Sequence, residues 1–471
     1  MNTFTAGIQL VYVVAAACFV VGLHLMNSPA TARRGNQVST AGMAIAGVAT
    51  LILLIHDGTV TAVGWTVLIV GTLLGAAVGL WSARRVQMTA MPQLVSMFNA
   101  VGGGAAALVA IYEYMHDETL ASGVLGTVSV ATVLDVIIGS VTFTGSLIAA
   151  GKLQGLIGGQ PIVLKGGRYI SLAVAAVALG SGAFMFTTAS QPALLLVVLA
   201  SLAFGVLMVL PIGGADMPVV ISLLNAFTGT AVAMAGFVIQ NWALIIAGAL
   251  VGASGGILTK LMADAMNRSI GNIIIGGFGT GDTAISAGPG AGDASIRSIA
   301  ADDAAIQLAY ASKVIIVPGY GLAAAQAQHG VAELASLLES RGVDVSYAIH
   351  PVAGRMPGHM NVLLAEANVP YPLLREMEEI NPEFPRADVA LVIGANDVTN
   401  PAARRAGTAI SGMPILDVDQ AKSIIVVKRS MGTGYAGIDN ELYANPKTSM
   451  YFADAKKAVA EMTAAVKTLV G

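Results

Sequence analysis

Cysteine occurs once in the 471 residues, at Cys18, and charged residues make up only 11% of the chain. A single thiol inside an apolar run supports neither a disulfide framework nor a cysteine-based metal site. An ordinary globular domain carries about 25% charged residues, so the deficit must sit in segments that water does not solvate. The small net charge of −3 speaks against a nucleic-acid partner. What charge there is lies unevenly. Residues 1–275 hold 9 Lys/Arg and 7 Asp/Glu, against 15 and 20 in residues 276–471. The expected organisation is a polytopic α-helical membrane domain over 1–265, a linker over 266–312, and a soluble domain over 313–471.

A bilayer core of ~30 Å requires about 20 apolar residues per helix. Nine such stretches fall near 5–26, 38–55, 60–81, 90–112, 120–150, 168–187, 192–210, 217–239 and 242–262. The first has no charged n-region and no small-residue cleavage site, so it is expected to remain as a span. Lys and Arg collect in cytoplasmic loops. Arg33, Arg34, Arg84, Arg85, Lys152, Lys165, Arg168, Lys260 and Arg268 all follow odd-numbered spans, and the even-to-odd loops carry no Lys or Arg. The N-terminus is therefore expected outside and the C-terminal domain in the cytoplasm.

MPQLVSMFNAVGG (91–103) and MPVVISLLNAFTG (217–229) repeat at a spacing of 126 residues. Both open spans that run in the same direction, which makes the repeat parallel. Pro92 and Pro218 fall in the first turn, where proline is tolerated. Asn99 and Asn225 then lie about two turns into the bilayer, where an amide needs a partner or a water. Interhelical hydrogen bonding and a polar proton path account for them equally well. Span five adds Asp135, Thr142, Thr144 and Ser146, and Asp216 stands at the mouth of span eight. A carboxylate near mid-span costs at least ~2.5 kcal/mol on insertion scales, so Asp135 must pair, protonate or line water. Glycines throughout the spans read as sites of close helix packing.

The segment 271–312 is rich in Gly, Ala, Ser and Asp, with a short helix expected at 298–311. Beyond it, short β-branched runs alternate with helical stretches, which predicts a Rossmann-like, doubly wound parallel sheet. Candidate strands are 313–317, 343–349, 389–393, 413–417 and 423–427. The first runs into Gly319, Gly321 and Ala324 in a GxGxxA arrangement. Alone that motif is weak. After a strand and before an Ala-rich helix, it predicts a turn that admits a pyrophosphate at the helix N-terminus. The second strand ends in His350 and Pro351 with no acid for a ribose 2′-hydroxyl, and its nearby cation is Arg355. Lys428, Arg429 and Ser430 close the strand over 423–427. Two cations and a hydroxyl suit a 2′-phosphate dianion, favouring NADP(H) over NAD(H). A solvated surface turn is the plainer reading of the same Lys-Arg pair. Asn396 and Asp397 offer polar groups to an amide or ribose, and the Gly-rich stretch from Met431 reads as a lid. No nucleophile–base set and no metal-ligand spacing is present, so the chemistry belongs to a cofactor.

Eight segments taken together resemble a known family. They are TARRGN (31–36), MPQLV (91–95), DVIIGSVTFTGS (135–146), GGADMPVVISLLN (213–225), PGYGLAAAQAQH (318–329), HPVAGRMPGHMNVLLAEA (350–367), GANDVTNPAA (394–403) and KRSMGTGYAG (428–437). Nearly the whole chain is similar to the β subunit of proton-translocating NAD(P) transhydrogenase. The resemblance implies hydride transfer between NAD(H) on a partner subunit and NADP(H) bound here, coupled to proton translocation. It implies an NAD(H)-binding alpha subunit, either one chain or divided so that a separate small membrane alpha subunit exists, a dimer of the complex, and surrounding lipid. Matched by motif, the NADP(H) contacts would be Tyr320; Val352, Ala353, Gly354, Arg355, Met356 and Pro357; Gly394, Ala395, Asn396, Asp397 and Val398; Gly412 and Met413; Lys428, Arg429, Ser430, Met431, Gly432, Thr433, Gly434 and Tyr435; and Asp454 with Ala455. It also implies a dinucleotide reversed relative to the usual Rossmann pose, held under the last Gly-rich loop. The proton path is expected through Asn99, Asp135, Ser146, Asp216 and Asn225, with Asp216 as relay. Some relatives carry a histidine where this chain has Asn99, so an imidazole would have to come from a partner's membrane helices, as expected here, or be absent. The other class of function compatible with these residues is a transporter or channel whose cytoplasmic nucleotide-binding domain senses redox state.

Overall fold

The computed structural model describes residues 3–26, 28–116, 127–158, 161–162, 164–186, 190–213, 216–266, 270, 296–354, 358–406, 408, 410–432, 434 and 436–470. The chain divides into two compact units, residues 1–212 with 219–259, and residues 213–218 with 260–471.

The first unit is helical. Among the described residues, nine helices are long and apolar enough to cross a membrane, as expected of a multi-pass membrane protein. They are α1 (Thr3–Leu25), α2 (Pro29–Asp57), α3 (Ala62–Arg85), α4 (Met91–His116), α5 (Thr127–Leu153), α6 (Gly167–Met185), α7 (Gln191–Val209), α8 (Met217–Val238) and α9 (Trp242–Ala265). Helix α2 starts well before its apolar stretch because Pro29 at the first helical position is already set at helical φ. Arg33 and Arg34, expected in a loop, therefore stand in the first turns of α2. Gly58, at φ +60°, ends that helix in the left-handed conformation that closes many helices. Ser190 and Thr61 cap α7 and α3 by accepting the N–H groups of Ala193 and Gly64.

Small residues set the helix spacing where hydrocarbon offers no hydrophobic drive. A Cβ on Gly139 of α5 would lie 2.5 Å from the Gly103 carbonyl of α4, and one on Gly205 of α7 would lie 2.4 Å from the Val141 carbonyl of α5. Lys152, near the end of α5, is buried and donates from Nζ to the carbonyls of Leu210 and, at 2.8 Å, Ile212. It thus closes the C-terminal end of α7, where the helix macrodipole favours a cation.

The second unit contains a six-stranded parallel sheet of β1 (Lys313–Pro318), β2 (Asp344–Ile349), β3 (Leu374–Glu376), β4 (Val389–Ile393), β5 (Ser423–Lys428) and β6 (Thr448–Phe452). Their order is β3-β2-β1-β4-β5-β6, which places a topological switch point between β1 and β4. Strands β1, β4 and β5 are buried on both faces, as parallel strands covered by helices must be. The helices are α10 (Ala301–Ala309), α11 (Tyr320–Ala324), α12 (Gln328–Glu339), α13 (His359–Glu366) and α14 (Ala455–Val470). Helix α10 packs on α14, and Ser298 bridges Met450 of β6, so the end of the 266–312 stretch is built into this unit. Residues 271–295, which carry most of the expected linker, lie outside the described residues.

One expected strand is absent. Residues 413–417 form no ladder, because other partners take their backbone groups. The Pro414 carbonyl faces His350 Nε2 at 2.9 Å, Asn381 accepts from Asp417 N and donates to the Ile415 carbonyl, and Leu416 N donates to the Val398 carbonyl. The apolar pattern there serves burial of Ile415 and Leu416 rather than pairing. Conversely, β3 and β6 were not expected; β3 has three residues and β6 opens on Thr448 and Ser449.

Candidate functional site

Because every strand is parallel, the segments following β1, β2, β4, β5 and β6 leave the same edge of the sheet. That edge collects the residues expected to bind a dinucleotide. Gly319, Tyr320 and Gly321 follow β1, Val352, Ala353 and Gly354 follow β2, and Gly394 through Val398 follow β4. Lys428 ends β5, with Arg429 and Ser430 exposed beyond it. Arg355, Met356, Pro357, Thr433 and Tyr435 lie outside the described residues.

The amides of the glycine turn face the turn after β4. Gly319 N donates to the Ile393 carbonyl at 2.9 Å and Gly321 N to the Gly394 carbonyl at 3.0 Å. A Cβ on Gly319 would sit 2.4 Å from the Ala395 backbone, and one on Gly394, where φ is +68°, would sit 2.4 Å from Gly321 Cα. The turns after β1 and β4 therefore meet backbone to backbone, and both glycine amides are already engaged. The helix they open, α11, has only five residues before Gln326 turns the chain at φ +54°. Its dipole is correspondingly short.

Around this contact the other loops interlock. The rings of Tyr320 and His359 lie 6.4 Å apart, and a Cβ on Gly354, at φ +109°, would meet His359 Nδ1 at 2.4 Å. His350 is 1% exposed, with Nε2 2.9 Å from the Pro414 carbonyl and Nδ1 3.2 Å from the Val352 N–H, so it ties the turn after β2 to the segment beyond β4. Desolvation by burial lowers its pKa from 6.5 to about 4, against a smaller opposing pull from the Pro414 carbonyl. An imidazole harder to protonate folded than unfolded contributes stability that is complete above pH 6.5 and falls away as pH drops toward 4. That interval is worth roughly 3 kcal/mol, and urea unfolding of the C-terminal unit in the full chain, followed between pH 7 and 4.5, should show the decline. His350→Gln should flatten it; an unchanged slope in that variant would contradict the assignment.

The last Gly-rich loop is anchored at both ends. Lys428 donates from Nζ to the Gly432 carbonyl, and its ammonium lies 4.5 Å over the Tyr443 ring. Burial pulls the Lys428 pKa below the usual lysine range, partly offset by Asp397 and Asp439. Asp397 Oδ2 accepts the Ala436 N–H at 3.1 Å, and a Cβ on Gly434 would overlap that carboxylate at 2.3 Å. Asn440 donates to the Asn396 carbonyl at 2.9 Å, and Asn396 Oδ1 accepts from Tyr443 Oη at 2.9 Å. Asn400 donates to the Asp439 carbonyl at 3.0 Å. Met413, next to Gly412 at φ +75°, packs with Ala436 and Ile438 of the loop on the buried Ala402, Ala403, Ile410 and Ile415. Asp454 accepts the Lys456 N–H at 3.0 Å, in the manner of a cap for α14, which begins at Ala455. Reading the sequence missed His350, Asn400, Asn440 and Tyr443 as organisers of this edge. The available signal was local. Asn400 and Asn440 each accept the N–H two residues on, at Ala402 and Leu442, a turn-forming habit of asparagine.

In the helical unit, Asn99 is buried and donates from Nδ2 to the Ile221 carbonyl at 3.4 Å, while the Asn99 carbonyl accepts from Thr228 at 3.3 Å. The Ser146 carbonyl accepts from Ser96 Oγ at 2.8 Å. Asn225 is half-buried on α8, and Asp216 stands just before that helix.

The family model for the NAD(P) transhydrogenase beta subunit matches residues 8–465. The chain belongs to this family. NAD(P) transhydrogenase subunit beta of Rhodospirillum rubrum is 48% identical over 460 residues, covering 97% of this chain and 98% of the relative. The protein of the same name from a designated strain of that organism matches with the same figures. The matched range takes in nearly all of both units. Membership of the transhydrogenase family carries with it an oxidoreductase role, nicotinamide nucleotide binding, and an alpha subunit that complements the beta.

Proposed function

We propose that this chain is the membrane subunit of a proton-pumping transhydrogenase whose C-terminal unit binds NADP(H) while NAD(H) is carried by the alpha subunit. The observation that carries the reading is the cationic edge of the sheet. Lys428 ends β5 with Arg429 and Ser430 just beyond it, and β2 is followed by His350 rather than an acid, so the edge suits a ribose that bears a phosphate. The nicotinamides supply the hydride chemistry. The chain's part is to bind, orient and couple. With the amides of Gly319 and Gly321 engaged by the β4 turn, the pyrophosphate is better served by the loops after β2, β4 and β5, in keeping with a reversed dinucleotide under the loop from Lys428 to Tyr443.

Residues 1–265 form the translocating domain, the first part of the 266–312 stretch links it to the NADP(H)-binding domain, which takes in Ser298 and α10 as well as 313–471, and the distribution of Lys and Arg favours an N-terminus outside an inner membrane. The complex is a dimer, and its alpha partner is one chain or two. Hydride transfer between like nicotinamides is nearly isoenergetic, whereas a proton crossing ~200 mV releases roughly 4.6 kcal/mol. At ~1.4 kcal/mol per decade, one proton per hydride displaces the NADPH ratio by about three decades. Asp216 is the relay and Asn99, Ser146 and Asn225 line the path. Vesicles holding the complete complex should oxidise NADH only when an NADP⁺ analogue is present, and should change lumenal pH as they do so. Asp216→Asn should keep nucleotide binding and lose the pH change; retained coupling would remove Asp216 from the path. NADH-independent ion flux gated by NADPH would favour a redox-sensing channel instead.

A further inference from the structure

Asp135 is buried with a relative exposure of 0%, and among the described residues neither carboxylate oxygen has a hydrogen-bond partner. It lies eight residues into α5, about 12 Å along the helix from Thr127 at 1.5 Å per residue. Lys152, the buried cation of the same helix, is seventeen residues on, about 25 Å away by that rise, and already serves α7. A charge so enclosed would be uncompensated. Burying an unpaired carboxylate costs several kcal/mol even after relaxation, so such a group holds a proton or water instead.

The neighbours of Asp135 along α5 give that proton somewhere to go. Asp135, Gly139, Thr142 and Ser146 stand at i, i+4, i+7 and i+11, one face of the helix. That face is turned toward α4. A Cβ on Gly103 of α4 would lie 2.8 Å from Thr142 and 3.1 Å from the Gly139 carbonyl, and Ser96 of α4 donates to the Ser146 carbonyl. Thr142 and Ser146 are both fully buried, and Ser146 Oγ also has no hydrogen-bond partner among the described residues. Across α4, Asn99 continues the row to Ile221 and Thr228 of α8. A buried polar seam thus runs between α4, α5 and α8, and among the described residues its one carboxyl is Asp135, at the end nearer Thr127.

We propose that Asp135 is the protonatable group of this seam: its carboxyl binds a proton from the outer side and releases it, through water, toward Thr142 and Ser146. The inference rests on the proposed proton coupling and specifies its carrier.

Two measurements test it. The first is difference infrared spectroscopy of the full chain in lipid at neutral pH, with and without ¹³C-aspartate. A band of a protonated carboxyl should appear, shift with the label and vanish in Asp135→Asn. A wild-type spectrum lacking such a band overturns the proposal. This reading requires no partner and no hydride transfer, so it fails or succeeds apart from the functional assignment. The second is lumenal pH change by the complete complex in vesicles. Asp135→Asn should lower it at least about tenfold while NADPH affinity stays within twofold, and Asp135→Glu should restore most of it. Full proton movement in Asp135→Asn, or an equal loss in Asp135→Glu with unchanged nucleotide binding, contradicts the proposal.

Discussion

Replacing Arg429 with alanine in the full chain should weaken NADPH binding about 30-fold and leave NADH binding within twofold. The size follows from the loss of a charge-assisted hydrogen bond, worth about 2 kcal/mol, at ~1.4 kcal/mol per decade. The selectivity follows from position. Arg429 is exposed just past the end of β5, whereas Lys428 holds the Gly432 carbonyl and covers the Tyr443 ring. Lys428→Ala would loosen the loop that follows and weaken both nucleotides together. Arg429→Ala removes charge without removing a support. Isothermal titration with each nucleotide separates these outcomes, and equal losses for NADPH and NADH would show that Arg429 does not read the 2′-phosphate.

The second large effect is expected at Gly394. Alanine there must adopt φ +68°, which costs about 1–2 kcal/mol in a left-handed conformation, and its Cβ would sit 2.4 Å from Gly321 Cα. Overpacking against backbone adds about 1–3 kcal/mol, because neither turn can yield without breaking the Gly321 to Gly394 hydrogen bond. A total near 3 kcal/mol should lower the melting temperature of the C-terminal unit by about 10 °C for a domain of this size. Helix melting in the membrane unit should be unaffected. Calorimetry of the full chain in detergent resolves the two transitions, and a shift below about 2 °C would mean that the β1 and β4 turns are not locked together.

These two sites show what the sequence discloses and what it hides. The nine apolar helices and the alternation of strands and helices are written in composition and period, because bilayer thickness and sheet burial act on long runs of residues. The glycines of 319–321 were legible as a turn after a strand. Their partner was not, since only the parallel pairing of β1 with β4, distant in sequence, reveals that Gly394 packs against Gly321. Residues 413–417 misled for the related reason that an apolar, β-branched run signals burial before it signals pairing. Strand β3 was too short to carry a period, and β6 was hidden by Thr448 and Ser449. Within the membrane unit, Asp135 was conspicuous as a lone carboxylate. That its face of α5 continues through Thr142 and Ser146 against Gly103 and Ser96 emerged only from the packing.

The pair Asn99 and Asn225 also resolves differently from the symmetry of the repeat. Asn99 is buried and bonded to α8, whereas Asn225 is only half-buried. Equal sequence motifs thus occupy unequal environments, and interhelical bonding accounts for at least the first of them.

On the proposed function, the loops after β2, β4 and β5 read the phosphate that distinguishes two otherwise identical dinucleotides. Equilibrium titration of the full-length chain with NADPH and with NADH, at one salt concentration and near neutral pH, tests it most directly. A preference for NADPH of at least about 100-fold is expected if Arg429 contributes about 2 kcal/mol and Ser430 about 1 kcal/mol. Equal affinities for the two nucleotides would contradict the account.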